Sequence, residues 1–202
     1  MPPGPIDFYF DFSSPYGFLA SEKIEALAAK HGRPVDWHHV LLGVVFTQTG
    51  AAPLTEVPLK GDYSKRDIAR SAGFHGVRDF RMPSRFPIPS QAPARIVLWL
   101  KQRDRALAAK VLHALYRAFF VSDIDISSPE QAVAITATCG VDAEAARAAI
   151  NDPSIKEALK VENDRAIARG VFGSPFIFID GEPFWGMDRF DQVERWLAHG
   201  GF

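Results

Sequence analysis

The residue best placed to do chemistry is Ser14, which follows a segment with the pattern of a β-strand. Apolar and polar side chains alternate along residues 6–12, and a period of two is typical of a strand. Ser14 and Pro15 then have the residue types of a helix N-cap and a first helical position. A helix that begins here presents free N–H groups and the positive end of its dipole, so the position favours an anion.

Two interpretations of Ser14 follow. It could only cap the helix, or its hydroxyl could also donate a hydrogen bond to a thiolate, a carboxylate or an oxyanion. No G-x-S-x-G motif accompanies it, and attack by the serine oxygen itself is therefore not indicated. A second Ser-Pro pair, Ser174-Pro175, stands directly before another apolar strand. By spacing alone a trans bond is expected there, since only about 5–6% of X–Pro bonds in folded proteins are cis.

Other candidate groups favour structural roles. His38 and His39 are neighbours on a predicted strand and point to opposite faces, so they cannot bind one metal ion together. Cys139 is the single cysteine, which excludes an intrachain disulfide and a thiolate metal site, and it is expected in the core. Trp185 is also expected in the core, and the charged residues between Arg66 and Arg70 are expected on a solvated helix face. No metal site is predicted.

The elements around Ser14 form a strand, a helix and a second strand. The helix stops in Lys30–Pro34, the second strand spans Val35–Leu42, and the crossover is expected to be right-handed. A loop is predicted from Gly43 to Pro58. Helices are predicted over Ala94–Phe120 and after three capping residues, Ser128, Asp142 and Asp152.

The strand pattern returns near the end of the chain. Residues 175–186 predict a hairpin around Asp180-Gly181. Asp188 is then expected to cap a last helix. The order indicates a β-α-β unit and a β-β-α unit that complete one sheet, with about 110 mostly helical residues between them.

Composition limits the classes of function. The 202 residues are 47% hydrophobic, with 23 basic and 24 acidic side chains dispersed along the chain. This pattern shows neither a nucleic-acid footprint nor a polybasic membrane anchor, and no apolar run approaches the ~20 residues that span a bilayer. The first residues lack the features of a signal peptide. A cytoplasmic protein with no membrane and no nucleic-acid partner is expected.

Three motifs together with the helical middle carry a family resemblance. "DFYFDFSSPYGFLA", "LKGDYSKRDIAR" and "GVFGSPFIFIDGEPFWGMDRFD" resemble the 2-hydroxychromene-2-carboxylate isomerases and the kappa-class glutathione transferases of the DsbA-like thioredoxin superfamily. The resemblance implies an α/β, thioredoxin-like fold with a large all-helical insertion. It places the thioredoxin-like domain in residues 1–45 and 169–202, and the insertion in residues 46–168.

The resemblance also implies roles for individual residues. Ser14 and Gly17 match the two cysteine positions of dithiol relatives, so Ser14 would face the sulfur of bound glutathione and no disulfide exchange is possible. The other expected glutathione contacts are Lys60, Ser174, Pro175 (in the cis form), Met187 (through its backbone N–H) and Asp188. Tyr16 is expected in the pocket of the second substrate.

The implied activity is a glutathione-dependent isomerisation. It would interconvert 2-hydroxychromene-2-carboxylate and trans-o-hydroxybenzylidenepyruvate in the breakdown of aromatic hydrocarbons such as naphthalene, with the protein as a homodimer. The alternatives are a kappa-type transferase or peroxidase, and a noncatalytic module that binds a thiol or a peptide. Ala51, Pro89 and Met187 depart from the residues of relatives, and these departures concern glutathione affinity and the second-substrate pocket.

Overall fold

The sheet has four strands, and Ser14 follows one of its two central strands. The computed structural model describes residues 4–202. The strands are β1 (Ile6–Phe10), β2 (Val35–His39), β3 (Phe176–Ile179) and β4 (Glu182–Trp185), in the order β2-β1-β3-β4. β2 pairs parallel to β1, β3 pairs antiparallel to β1, and β4 pairs antiparallel to β3. The predicted β-α-β unit and the terminal hairpin are confirmed.

The described residues form nine α-helices. They are α1 (Pro15–Lys30), α2 (Leu42–Thr49), α3 (Lys60–Phe74), α4 (Gln91–Lys101), α5 (Arg105–Phe120), α6 (Pro129–Thr138), α7 (Ala143–Asn151), α8 (Pro153–Ala168) and α9 (Phe190–His199). The four predicted N-caps Ser14, Ser128, Asp142 and Asp152 each accept a backbone N–H in the first turn. No helix in the described residues is both long enough and apolar enough to cross a membrane.

The prediction of a loop over Gly43–Pro58 is wrong. Residues 42–49 form α2, and a 3-10 turn spans Leu54–Glu56. α2 is held by the burial of Val45 in a small apolar cluster beside the sheet, and it ends at Gly50, whose φ is +71°. Tertiary burial therefore outweighs the high content of Gly and Thr, which carries only a weak local preference.

Asp188 does not cap the last helix, so this prediction is also wrong. A 3-10 turn over Met187–Arg189 precedes α9, and Arg189 is the residue at the N-cap. The Asp188 carboxylate is exposed and lies 3.3 Å from the Arg189 guanidinium. The extra turn moves the start of α9 beyond the reach of Asp188.

The main core joins the sheet to α1 and α5. It contains Phe8, Phe10, Phe18, Tyr116 and Phe120, so residues from both parts of the predicted domain division share one core. The division into residues 1–45 with 169–202 and residues 46–168 stays a prediction. Cys139 is buried in this core, as expected. Trp185 is 54% exposed and is not core, because its neighbour Phe184 takes the buried face of β4.

Both edges of the sheet are protected from pairing with another strand. Along β2, the His39 N–H donates to Glu162 at 2.7 Å, and Lys101 donates to the Trp37 carbonyl. β4 carries Pro183, which has no N–H to offer. Because unpaired strand edges invite association, these contacts favour the closed four-stranded sheet.

His39 provides a test of the core through pH. Its side chain is 2% exposed and its ring packs 4.4 Å from that of Phe10. Burial, with smaller effects of Lys101 and His38, lowers the pKa of His39 from 6.5 to about 3. The unfolded chain therefore binds a proton at this residue below pH 6.5 that the folded chain does not bind, and stability falls as the pH drops from 6.5 towards 3.

We expect His39→Phe to reduce the acid sensitivity of the fold. Between pH 7 and pH 5 the wild-type protein should lose about 2 kcal/mol more free energy of unfolding than the variant. Urea unfolding at the two pH values measures this difference. The same substitution at exposed His199 is the control for the removal of a histidine that is not buried. Equal acid sensitivity in the wild-type protein and His39→Phe would contradict the prediction.

Candidate active site

Ser14 lies in the turn that joins β1 to α1, and its hydroxyl makes two hydrogen bonds to other groups of the protein. The Ser14 Oγ accepts the Gly17 N–H at 3.0 Å and donates to the Ser174 carbonyl at 2.8 Å. The turn is closed by the Ser14 N–H, which donates to the Asp11 carbonyl at 2.9 Å. The side chain is 4% exposed. Ser14 is thus a helix cap and also the contact between α1 and the second Ser-Pro pair.

The Ser174–Pro175 loop lies directly against this turn. Its peptide bond is cis, as the resemblance implied, and the trans bond expected from spacing alone is wrong. The Ser174 Oγ accepts the Asp11 N–H at 3.1 Å, so the loop is bound to the end of β1 on one side and to Ser14 on the other. The structure therefore brings Ser14, Ser174 and Pro175 together.

A buried carboxylate fixes the surroundings of Ser14. Asp11 is 3% exposed. Its oxygens accept the N–H groups of Ser13 and Leu42, each at 2.7 Å. Burial raises the pKa of Asp11, and these hydrogen bonds oppose the rise. The strand pattern had assigned Asp11 to the polar face of β1, but β1 ends at Phe10 and Asp11 turns into the protein.

The segment before α4 is attached to the same turn. The Ile88 N–H donates to the Ser13 Oγ at 3.1 Å, and Ser90 is buried. Pro89, between them, is exposed. Asp11 and Ser13 were not among the predicted site residues. The Asp-x-Ser spacing of residues 11–13, which is typical of an Asx turn, was the available signal.

Tyr16 connects α1 to α3. Its hydroxyl donates to the Asp67 Oδ2 at 2.5 Å, and Arg70 donates to Oδ1 of the same carboxylate. The hydrogen bond from Tyr16, with further contributions from Arg70, holds the pKa of Asp67 below its usual range, although burial acts in the opposite direction. The interpretation of residues 66–70 as only a solvated helix face is therefore wrong for Asp67.

The remaining predicted residues lie around this centre. The Gly186 N–H donates to the Pro175 carbonyl at 3.1 Å, which places Met187 and Asp188 next to the loop. The Met187 side chain is buried in the core, and the Asp188 side chain is exposed. Lys60 is exposed in the first turn of α3, and among the described residues it forms no hydrogen bond to the rest of the set. Ala51 is exposed before α3.

A second polar cluster lies away from Ser14. Asp7, Asp36 and His38 place donor atoms within 4.8 Å of one another. Both carboxylates already pair with cations, Asp36 with Lys101 at 2.9 Å and Asp7 with Arg169 at 2.6 Å. The group is therefore an ion-pair network that joins the sheet to the helices.

The four-stranded order and the Ser14–cis-proline contact define a protein of the thioredoxin-like class. The profile of the DSBA-like thioredoxin domain matches residues 5–198, and the chain belongs to that family.

Individual relatives agree with this assignment. The chain is 28% identical to a 2-hydroxychromene-2-carboxylate isomerase of Sphingobium xenophagum, over 95% of this chain and 97% of that protein. It is 28% identical to glutathione S-transferase kappa 2 of Caenorhabditis elegans, over 96% and 91% of the two chains. A solved structure of a 2-hydroxychromene-2-carboxylate isomerase has a TM-score of 0.85 at 25% identity, covering 96% of this chain and 94% of that one. The resemblance to isomerases and kappa-class transferases is confirmed.

Gly17, at the position of the second cysteine of dithiol relatives, has no room for a side chain. A Cβ there would lie 2.6 Å from the Ser174 Oγ and 2.9 Å from the Tyr116 Oη. Both hydroxyls are held, because Tyr116 donates to the Asp11 carbonyl at 2.8 Å and Ser174 accepts from Asp11. The absence of a side chain at residue 17 therefore permits the close contact between α1 and the cis-proline loop.

We expect Gly17→Ala to destabilise the protein by about 1–3 kcal/mol, because overpacking forces the held neighbours to shift. Gly73→Ala is the control. Gly73 lies in α3, and a Cβ there meets nothing within 4 Å, so alanine should stabilise the helix by about 0.5–1 kcal/mol. Chemical unfolding of the two variants measures both values. A stable Gly17→Ala variant would show that the contact is not a packing constraint.

Proposed function

We propose that this protein is a glutathione-dependent isomerase that interconverts 2-hydroxychromene-2-carboxylate and trans-o-hydroxybenzylidenepyruvate. The observation that carries the proposal is the Ser14 hydroxyl, held at a helix N-terminus and against the Ser174 carbonyl of the cis-proline loop. Residues 14 and 17 carry no thiol, so disulfide exchange cannot occur between them. The relatives named as isomerases support the reaction class.

The arrangement of polar groups fits a small peptide thiol. The Ser174 carbonyl precedes the strand β3 and could pair with the peptide backbone as an added strand does. Met187 can offer glutathione its backbone N–H, since its side chain lies in the core. The exposed carboxylate of Asp188 suits the ammonium group of glutathione, and the exposed ammonium of Lys60 suits its glycine carboxylate.

Bound glutathione would supply a thiolate whose reversible addition to a conjugated carbon would accompany opening of the ring carbon–oxygen bond to a phenol and a ketone and would free a carbon–carbon bond to rotate. Elimination of the thiolate would then restore the double bond and free glutathione. The protein's task is to stabilise that anion. Ser14 can turn its hydroxyl proton from the Ser174 carbonyl to the sulfur while its oxygen still accepts from Gly17. The Tyr16 N–H, in the first turn, has no intrahelical acceptor, and the helix dipole adds to the field. A thiol in this environment has a lowered pKa.

A kappa-type transferase is the second candidate, because a kappa-class relative matches over nearly the whole chain. The same Ser14 site would then direct the thiolate at another electrophile. A noncatalytic binding module would keep the cleft without turnover. For either enzyme, the predicted cytoplasmic location would supply glutathione in its reduced form. We also propose the homodimer that the resemblance implies.

Glutathione dependence separates the candidates. Ultraviolet spectra of 2-hydroxychromene-2-carboxylate with the protein should show interconversion that needs glutathione but does not consume it. Stoichiometric loss of glutathione would support the transferase instead. Binding of glutathione without any change in the chromene, or in a panel of conjugated electrophiles, would support the binding module and contradict both enzymes.

We expect Ser14→Ala to lower turnover by about 10²- to 10³-fold, the range found when one donor to a reacting anion is removed. Ser128→Ala is the matched control, because Ser128 is also the N-cap of a helix whose first position is proline. Each variant should lose about 1–2 kcal/mol of stability from the lost cap, but only Ser14→Ala should lose activity. Equal turnover in the two variants would contradict the role of Ser14.

We expect Lys60→Ala to raise the KM for glutathione by about 2- to 10-fold with little change in kcat, because it removes a charge that binds ground state and transition state alike. Lys65→Ala is the control on the same helix, since Lys65 is exposed and lies 3.6 Å from Asp62. Steady-state kinetics with varied glutathione test both. The same KM in Lys60→Ala and the wild-type protein would exclude Lys60 from the site.

A further inference from the structure

Tyr16 is the partly exposed side chain in the first turn of α1, two residues after Ser14. Of residues 14–18, Ser14, Pro15, Gly17 and Phe18 are buried, and Tyr16 alone is half-buried. A substrate that reacts with a sulfur atom held at Ser14 must approach over this turn. The partly exposed side chain of the turn that this substrate would meet is therefore Tyr16.

The proton of the Tyr16 hydroxyl is already used. The oxygen lies 2.5 Å from the Asp67 Oδ2, and an ionised carboxylate can only accept a hydrogen bond. Arg70 donates to the other carboxylate oxygen, which keeps Asp67 charged. Burial and the hydrogen bond to Asp67 raise the pKa of Tyr16, so the phenol stays neutral at working pH. The Tyr16 oxygen can therefore still accept a hydrogen bond, but it has no free proton to donate.

We propose that Tyr16, oriented by Asp67, accepts a hydrogen bond from a hydroxyl group of the electrophile and thereby selects hydroxylated aromatic acids. The inference rests on the proposed function and adds a specificity-determining residue to it. The chromene form carries a hydroxyl on the carbon next to the ring oxygen, and the open form carries a phenol, so both forms offer a donor. Asp67 acts through Tyr16 and is a positioning residue.

The proposed hydrogen bond to Tyr16 favours a ligand with a hydroxyl group and disfavours a ligand with an ether oxygen at the same position. A hydroxyl on the ligand completes the bonding of the Tyr16 oxygen, whereas an ether oxygen at the same place puts two acceptors against each other. An ordinary hydrogen bond contributes about 0.5–1.5 kcal/mol, which corresponds to about a 2- to 10-fold difference in affinity. A ligand that buries an unpaired acceptor should bind more weakly than one that has no oxygen at that position.

Calorimetric binding of three acids tests this order in the presence of S-methylglutathione, which has no free thiol. For the wild-type protein we expect trans-2-hydroxycinnamate to bind about 2- to 10-fold more tightly than trans-cinnamate, and trans-2-methoxycinnamate to bind most weakly. Tyr16→Phe should bind the hydroxy and unsubstituted acids equally. Asp67→Ala releases the Tyr16 proton, so the methoxy acid should then bind at least as well as cinnamate.

Tyr63→Phe is the matched control. The Tyr63 hydroxyl also lies near the Asp67 carboxylate, 3.5 Å from Oδ1, but Tyr63 lies on α3 rather than in the first turn of α1. Its removal should leave the order of the three acids unchanged. A purely structural role of Tyr16 or Asp67 would weaken all three acids by the same factor and would overturn the proposal.

The order of binding of the three acids and the isomerisation of the chromene are measured separately, and either can fail without the other. If the wild-type protein isomerises the chromene with glutathione but binds the three acids equally, Tyr16 does not select the hydroxyl and the isomerase stands. If Tyr16→Phe keeps the preference for the hydroxy acid, the proposal is likewise overturned. If the expected order is found without any isomerisation, the selection by Tyr16 stands and the isomerase is wrong.

Discussion

The structure around Ser14 depends on one buried charge, the carboxylate of Asp11. A carboxylate that leaves water without partners is strongly unfavourable, and this one is 3% exposed. It is tolerated because two backbone donors from separate segments converge on it, Ser13 in the β1–α1 turn and Leu42 at the start of α2. Satisfying this group requires the two segments to meet, so the contacts that make the charge acceptable also bring the start of α2 against the turn that holds Ser14.

The hydrogen bonds of Ser14 are compatible with both its structural role and the chemical role proposed for it. As an N-cap its oxygen accepts from Gly17, and as a donor its proton is held by a neighbouring carbonyl, that of Ser174. A reacting anion would replace only the second of these partners. The bare Gly17 beside it allows the cis-proline loop to approach within contact distance. The space that a side chain at residue 17 would need is thus occupied by the loop, and the proposed function requires the thiol to come from a bound ligand.

Much of the fold was predictable from local patterns. The alternating strand before Ser14, the Asp-Gly hairpin, and the caps Asp142 and Asp152 all agree with the structure, because each depends on neighbours a few residues apart in the chain. Where a pattern competes with tertiary burial it fails. α2 forms in a stretch rich in Gly and Thr because Val45 is buried beside the sheet, and Asp188 loses its cap position to an extra 3-10 turn.

Residue types and spacing alone identified the groups on which the proposed chemistry rests: a serine at a helix N-terminus, no thiol at residues 14 or 17, and a second Ser-Pro pair before a strand. Residue types and short spacings carry that information, since they set local hydrogen bonds and the helix dipole. The distant groups near the serine follow from the tertiary structure. Asp11 turns inward to meet the start of α2, and Asp67 holds the proton of Tyr16 across 51 residues of chain. The first contact depends on how α2 packs at the end of the sheet and the second on how α3 packs beside α1, and no local pattern in the chain specifies either.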